Sequence, residues 1–180
     1  MGYMKKIIWI DMDGVIVDFK SNIEDWFNDH AQLVDKYVNE PDNIPGIFKS
    51  PKPIEGSIEA IKELDRSGKY DLHIATSAPW GNPESLTHKR IWIENHFGDL
   101  FKKKFTVTHT KDMLIGDYLI DDRLKNGASN FKGELIRFGW DYENKVWNQY
   151  TNWISVLNYL LPENYCNYSD LPSPEFYENK

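Results

Sequence analysis

Residues 6–15, KIIWIDMDGV, decide how the rest of the chain is read. Lys6–Ile10 is a short apolar run of β type that ends abruptly at Asp11, as expected of a buried strand that delivers polar side chains to the edge of a sheet. Working outward, the pattern turns helical from about Val17 to Val38, where Ile23, Trp26, Phe27, Leu33, Val34 and Tyr37 recur at three- and four-residue spacing. Pro41, Pro45, Gly46, Pro51 and Pro53 make the next stretch, residues 39–53, a loop. A helix over 57–64 stops at Ser67-Gly68, a strand covers 70–75, and a helix over 84–97 has Ile91, Trp92, Ile93 and Phe97 available for burial. Strands follow at 105–108, 118–120 and 134–138, and a last helix at 153–161.

Short buried strands alternating with helices predict an α/β fold with a mainly parallel sheet flanked by helices. Residues 21–54 fall between the first strand and the next core helix and read as a small helical insertion over one edge of the sheet. The expected division is therefore a core of residues 1–20 and 55–165, an insertion of 21–54, and an irregular tail of 166–180.

With 180 residues the chain has room for one domain with a real core and a small insertion. Lys and Arg number 21 against 28 Asp and Glu, a net charge of −7, so nucleic-acid polymers and anionic membrane surfaces repel it. No apolar run approaches the roughly 18 residues of a membrane span, and the mean hydropathy is −0.60. Met1–Ile10 lacks the longer apolar stretch and small-residue cleavage site of a secretory leader. A lone cysteine, Cys166, offers no internal disulfide or thiolate cluster and reads as a small apolar filler, which points to the cytoplasm.

Three apolar runs end in polar side chains: Asp11-x-Asp13, Thr76-Ser77 and Asp121-Asp122. A parallel sheet brings such groups to one rim, outside the carboxyl ends of its strands. Taken singly, each has a bland reading: Asp-x-Asp-Gly as a turn, Asp-Asp or Thr-Ser as a helix cap. In this order after successive strands they form a joint signal. Four carboxylates converging on one rim repel each other unless a cation sits among them, and oxygen ligands without His or Cys favour Mg²⁺. The five histidines show no zinc spacing, and no Gly-rich loop of the P-loop type is present. Asp18 reads as a helix N-cap.

These residues resemble the signature motifs of the haloacid dehalogenase (HAD) superfamily: DMDGV after KIIWI, the Ile74–Ser77 strand end, a downstream lysine, and Leu119-Ile120-Asp121-Asp122. Asp11–Phe19 (DMDGVIVDF), Thr76–Pro79, Lys89–Gly98 and Lys111–Arg123 (KDMLIGDYLIDDR) further resemble the 5′(3′)-deoxyribonucleotidases. The resemblance implies a Rossmann-like HAD fold with a small helical cap. It implies a phosphoric monoester hydrolase, acting on the 5′ or 3′ phosphate of deoxyribonucleoside monophosphates through an aspartyl-phosphate. Asp11 would be the nucleophile and Asp13 the general acid and base. Mg²⁺ would be held by Asp11, the Asp13 carbonyl and Asp122, with Asp121 in support. Thr76 and Ser77 would contact phosphoryl oxygens. Lys111, ten residues before Asp121, matches the phosphate lysine; Lys89 is the second candidate, with an exposed surface lysine as the competing reading for both.

Phe19 matches an aromatic of the base pocket, or else packs beneath the insertion. Gly46-Ile47-Phe48 resembles the exit from the family's insertion, followed by Ile54-Glu55-Gly56. The insertion here is shorter, and Trp26, Tyr37, Phe48 and Trp80 are the aromatics from which a pocket could be drawn, with core packing the competing reading for each. The implied partner is a small phosphorylated substrate, and the resemblance leaves room for a homodimer. Two other readings stand beside it: a HAD phosphatase for a sugar phosphate or other small metabolite, and a catalytically silent HAD-fold module that binds a phospho-ligand or a protein.

Overall fold

The computed structural model describes residues 4–163, so Cys166 and the tail expected at 166–180 lie outside the described residues. Its sheet is five parallel strands, β1 (Lys6–Ile10), β2 (Tyr70–Thr76), β3 (Phe105–Val107), β4 (Tyr118–Asp121) and β5 (Glu134–Arg137), in the order β3-β2-β1-β4-β5. KIIWI takes the centre because both its edges are paired: Ile8 lies beside Leu72 of β2 and Tyr118 of β4. The chain winds outward through β2 to β3, then returns to the far side of β1 for β4 and β5. Strand order thus reverses between β1 and β4, and a crevice opens outside their carboxyl ends.

Strand periodicity sorts the side chains. Ile8, Ile10, Leu72, Ile74, Ile120 and Ile136 enter the main core, while Trp9, Leu119 and Leu135 pack on the other face with Leu114, Ala128 and Phe131. The main core is closed by α3 (Ser57–Arg66), α4 (Glu84–Phe97) and α5 (Trp153–Leu160). Apolar residues of α3 at 60, 61 and 64 and of α5 at 153, 156, 157 and 160 face inward, the three- and four-residue step of a half-buried helix. The buried Trp153 indole donates to the Val15 carbonyl at 2.8 Å and so ties α5 to the loop after β1.

Residues 19–52 leave and rejoin the core through a narrow antiparallel neck. Val17 bridges Pro53, the Asp18 N–H donates to the Lys52 carbonyl at 2.9 Å, and the Ile54 N–H donates to the Ile16 carbonyl at 2.9 Å. Beyond the neck, α1 (Phe19–Asp29) starts at an Asp18 cap whose Oδ1 accepts the Ser21 N–H at 3.1 Å. The single helix expected over 17–38 is not formed. Val17 is held in the neck, α1 ends at His30, a 3₁₀ turn covers Ala31–Leu33, and α2 is only Val34–Tyr37. In one straight helix Trp26 and Tyr37 would lie about 16 Å apart along the axis; the break folds Tyr37 back, edge-on to Trp26 with ring centroids 5.6 Å apart. Both rings then cover a small separate core of Ile44, Ile47 and Phe48.

Two further expectations fail, one on α4 and one in the loop before it. Its inward face is Ser85, Lys89, Trp92, Ile93 and Phe97, and Ile91 falls outside that stripe and is exposed. Trp80, in the loop before α4, is 97% exposed and joins neither core nor pocket. A hairpin of β6 (Trp140–Asp141) and β7 (Val146–Trp147) follows β5 and was not expected at all. Among the described residues no helix is long and apolar enough to cross a membrane.

Candidate active site

Asp11 is the first residue beyond β1, and its N–H still donates to the Ile120 carbonyl at 3.0 Å, so the β1–β4 ladder fixes its backbone. Asp121 ends β4 and Asp122 follows it. All three are buried, and one carboxylate oxygen from each lies within 4.8 Å of the others. Two residues 110 positions apart meet because their strands are neighbours.

Gly14 makes this approach possible. Its φ is +76°, and a Cβ there would stand 2.8 Å from Asp122 Cγ and closer still to Asp122 Oδ2. Only a residue without a side chain lets the loop turn over the carboxylate.

Two lysines are drawn into the site, each from a different element. Lys111 sits on a 3₁₀ turn before β4 and is 2% exposed. Its Nζ donates to Asp121 Oδ2 at 2.5 Å and pairs with Asp11 Oδ1 at 3.0 Å. Burial alone would lower the Lys111 pKa, but Asp11 and Asp121 outweigh it and hold it above the ordinary lysine value. Lys89, also 2% exposed, reaches from the inward face of α4. It donates to Asp13 Oδ2 at 2.6 Å, to the Ser77 carbonyl at 2.6 Å and to Thr76 Oγ1 at 3.1 Å. Its ammonium lies 4.6 Å from the Phe48 ring centroid, and Phe48 stacks on Phe19 at 4.7 Å with planes 4° apart. Phe19 and Phe48 thereby roof the lysine from the insertion side.

The Asp13 carboxylate therefore faces Lys89 rather than joining the three-carboxylate cluster. The fourth member of the expected convergence is diverted by the ammonium that sits nearest to it. Ser77 meets Lys89 through its backbone carbonyl, whereas Thr76 is buried and presents its hydroxyl.

Positive charge is short in the cluster. Among the described residues, Lys111 is the side-chain cation that hydrogen-bonds its carboxylates; Arg123 Nε stands 3.8 Å from Asp122 Oδ1. Asp122 Oδ1 is buried and has no hydrogen-bond partner among the described residues. Burial, with Asp11 and Asp121 beside it, pushes the Asp122 carboxyl well above its ordinary range. Burial and Asp11 likewise raise Asp121 to about 6, against the pull of Lys111. Burial also raises Asp13, with Lys89 opposing and Asp11 adding to the rise. A buried carboxylate oxygen without a partner, beside two more carboxylates, fits a hard divalent cation held by oxygen.

Several contributing residues were not singled out from sequence. Arg123 donates its N–H to Asp121 Oδ1 at 2.9 Å, and the Asp122 carbonyl accepts from Asn148 Nδ2 at 3.1 Å and Arg137 Nη2 at 3.3 Å. Arg137 and Asn148 flank the unforeseen hairpin, so no motif led to them. Lys89 could have been ranked higher, since it falls on the inward stripe of α4 with Ser85, Trp92 and Ile93.

Residues 23–162 match the family described as 5′ nucleotidase, deoxy (pyrimidine), cytosolic type C protein. A proposed 5′(3′)-deoxyribonucleotidase of Vibrio phage KVP40 is 41% identical over 162 residues, 89% of this chain and 87% of that one. The 5′(3′)-deoxyribonucleotidase of Bacillus subtilis is 29% identical over 151 residues, covering 75% of this chain and 86% of its own. Among solved structures, a proposed HAD-hydrolase of Bacillus subtilis, crystallised with magnesium, superposes with a TM-score of 0.55 at 14% identity. It covers 88% of this chain and all of its own. That last likeness concerns the fold.

Proposed function

The chain belongs to the deoxyribonucleotidase family of the HAD fold, and from that premise we propose that it is a Mg²⁺-dependent hydrolase of deoxyribonucleoside monophosphates working through a phosphorylated Asp11. The observation that carries the reading is the cluster itself: Asp11, Asp121 and Asp122 within 4.8 Å, with Lys111 wedged between the first two.

Asp11 is placed to attack phosphorus. As its carboxylate oxygen forms the new P–O bond, the bond from phosphorus to the sugar oxygen breaks, and Asp13 gives that oxygen a proton. Water then attacks the phosphorus of the aspartyl-phosphate, Asp13 takes the water's proton, and the P–O bond to Asp11 breaks to release inorganic phosphate. Burial suits Asp13 to this task, because it favours the protonated form that the first half-reaction needs. Lys111, beside Asp11, and Lys89, beside Asp13 and Thr76, would supply positive charge to the phosphoryl group, and the Thr76 hydroxyl a further contact, where charge develops in the transition state. Asp11, the Asp13 carbonyl and Asp122 would hold Mg²⁺, with Asp121 steadying the set through Lys111 and the Arg123 N–H. When bound, the cation offsets repulsion between the anionic nucleophile and the anionic phosphate.

Residues 21–54 serve as the cap in this reading. Phe19 stacks on Phe48, which lies against Lys89, and on this basis we assign the leaving nucleoside to the insertion side. The core, read as 1–20 and 55–165, carries the reaction. The cytoplasm is the compartment we assign, on the charge balance and the single cysteine.

Asp11→Asn should abolish Mg²⁺-dependent phosphate release from deoxynucleotides, and retained turnover would remove Asp11 as nucleophile. A panel of deoxynucleotides, ribonucleotides and sugar phosphates tests the substrate class. Preference for deoxynucleotides is expected; equal rates on all three would favour a general small-molecule phosphatase.

A further inference from the structure

We propose that Asn148 and Arg137 are positioning residues for Asp122, setting the carboxylate for a divalent cation by gripping its backbone carbonyl; this rests on the metal site proposed above. The Asp122 carboxylate cannot orient itself, since its Oδ1 is buried without a hydrogen-bond partner among the described residues. Its direction is therefore set by the backbone beneath it, by Gly14 packed against it and by Arg123, whose Nε stands 3.8 Å from Oδ1.

That backbone is clasped from one side. Asn148 Nδ2 donates to the Asp122 carbonyl at 3.1 Å and to the Phe138 carbonyl at 2.9 Å, so one amide joins the turn after β4 to the chain after β5. Arg137 Nη2 donates to the same Asp122 carbonyl at 3.3 Å and to Asp141 Oδ2 at 3.0 Å. Asp141 is anchored in turn, accepting the N–H groups of Glu143 and Asn144 at 2.9 and 3.1 Å and Asn144 Nδ2 at 2.8 Å. Asn148, just after β7, and Arg137, at the end of β5 and held by Asp141 of the hairpin, thus place two donors on a single carbonyl, and that carbonyl belongs to a residue of the cation cluster. The hairpin is a two-stranded sheet of its own, and these hydrogen bonds tie it to the turn after β4. Groups that orient metal ligands typically govern metal affinity by 10–100-fold when removed.

The test uses the full chain without substrate, with Mn²⁺ as a spin-active substitute for Mg²⁺ read by electron paramagnetic resonance. Asn148→Ala should weaken Mn²⁺ binding about 10–100-fold. The Mg²⁺ concentration for half-maximal phosphate release should rise in parallel, while KM for the nucleotide at saturating Mg²⁺ stays within about threefold. A merely structural role would lower the metal-free melting temperature and leave Mn²⁺ affinity intact. Folded Asn148→Ala binding Mn²⁺ within about twofold of the unaltered chain overturns the proposal. Should that variant not fold, Arg137→Lys, which keeps the charge but loses the planar fork, is read by the same criterion. Absence of Mn²⁺ binding by the unaltered chain would overturn the metal site itself, a result distinct from an unaffected variant.

Discussion

Replacing Lys111 by Met removes the one ammonium in contact with the carboxylate cluster while keeping the length of the side chain. Lys111 Nζ lies 3.0 Å from Asp11 Oδ1 and 2.5 Å from Asp121 Oδ2, and all three groups are buried. At an effective dielectric constant of about 20, each contact carries roughly 5–7 kcal/mol of gross Coulomb attraction. Most of that offsets the cost of taking the charges out of water. The quantity that survives removal of one partner from a buried pair is about 3–5 kcal/mol. In a domain of this size each kcal/mol moves the melting temperature by about 2–4 °C, so metal-free Lys111→Met should melt about 6–20 °C below the unaltered chain. In the proposed site Mg²⁺ would bring positive charge to the same carboxylates, so the gap should narrow when it is added. Turnover should fall at least about 10²-fold, the usual loss of a fixed charged donor at a reacting centre. Thermal unfolding in EDTA and in Mg²⁺, with phosphate release in parallel, reads all of this. Melting within 2 °C of the unaltered chain in EDTA (about 1 kcal/mol or less) would refute the account of Lys111 as the internal counter-charge.

Gly14→Ala puts a methyl group 2.8 Å from Asp122 Cγ at a φ of +76°. It should cost about 2–4 kcal/mol in stability, as strained backbone and overpacking add, and should reduce turnover by displacing the carboxylate. Gly68→Ala, at a φ of +70° with nothing within 4 Å, should cost only about 1 kcal/mol and leave turnover intact; equal turnover losses in the two would count against the contact with Asp122. Asp141 gives a prediction in pH. Asn144, through its side-chain amide and N–H, with Glu143 and Arg137, holds the Asp141 carboxyl down to about 2 from an ordinary 3.8. A group depressed in the folded state stabilises above its unfolded value and ceases to do so as pH falls through its folded value. Asp141→Asn should therefore melt lower than the unaltered chain at pH 5–7, with the difference closing between pH 4 and 2; a difference constant across that range would rule out the carboxylate as its source.

The motif-bearing part of the fold was legible because its signals are local. Apolar runs ending at Asp11, Thr76 and Asp121 mark where strands stop, and a parallel sheet needs no further information to put those ends on one rim. The strand order, with β1 central, was not legible, since it depends on which edges pair across 60 to 110 residues. The break at His30 was hidden because Trp26 and Tyr37 fall on the same face of an uninterrupted helix, and only a contact between them reveals the fold-back. The hairpin of β6 and β7 has two residues per strand, too few for an alternating pattern. Its turn is set by Asp141 and Asn144 side chains acting on neighbouring backbone, which composition does not distinguish from an ordinary polar loop. The lysines show both sides of the problem. Lys111 was found by its resemblance to the family's phosphate lysine, ten residues before Asp121, whereas the depth of Lys89 follows from helical phase, with Ser85, Trp92 and Ile93 turning it inward.

The neck at Val17 and Pro53 has a consequence for how such a chain can vary. Because Asp18 pairs with Lys52 and Ile16 with Ile54, the ends of the intervening stretch are fastened together whatever lies between them. Doubling the length of a flexible segment closed in this way costs only about 0.6 kcal/mol. What is fitted beyond the fastening is therefore interchangeable, and under the proposed function selectivity for the leaving group could be rewritten there while Asp11, Asp121 and Asp122 keep their places.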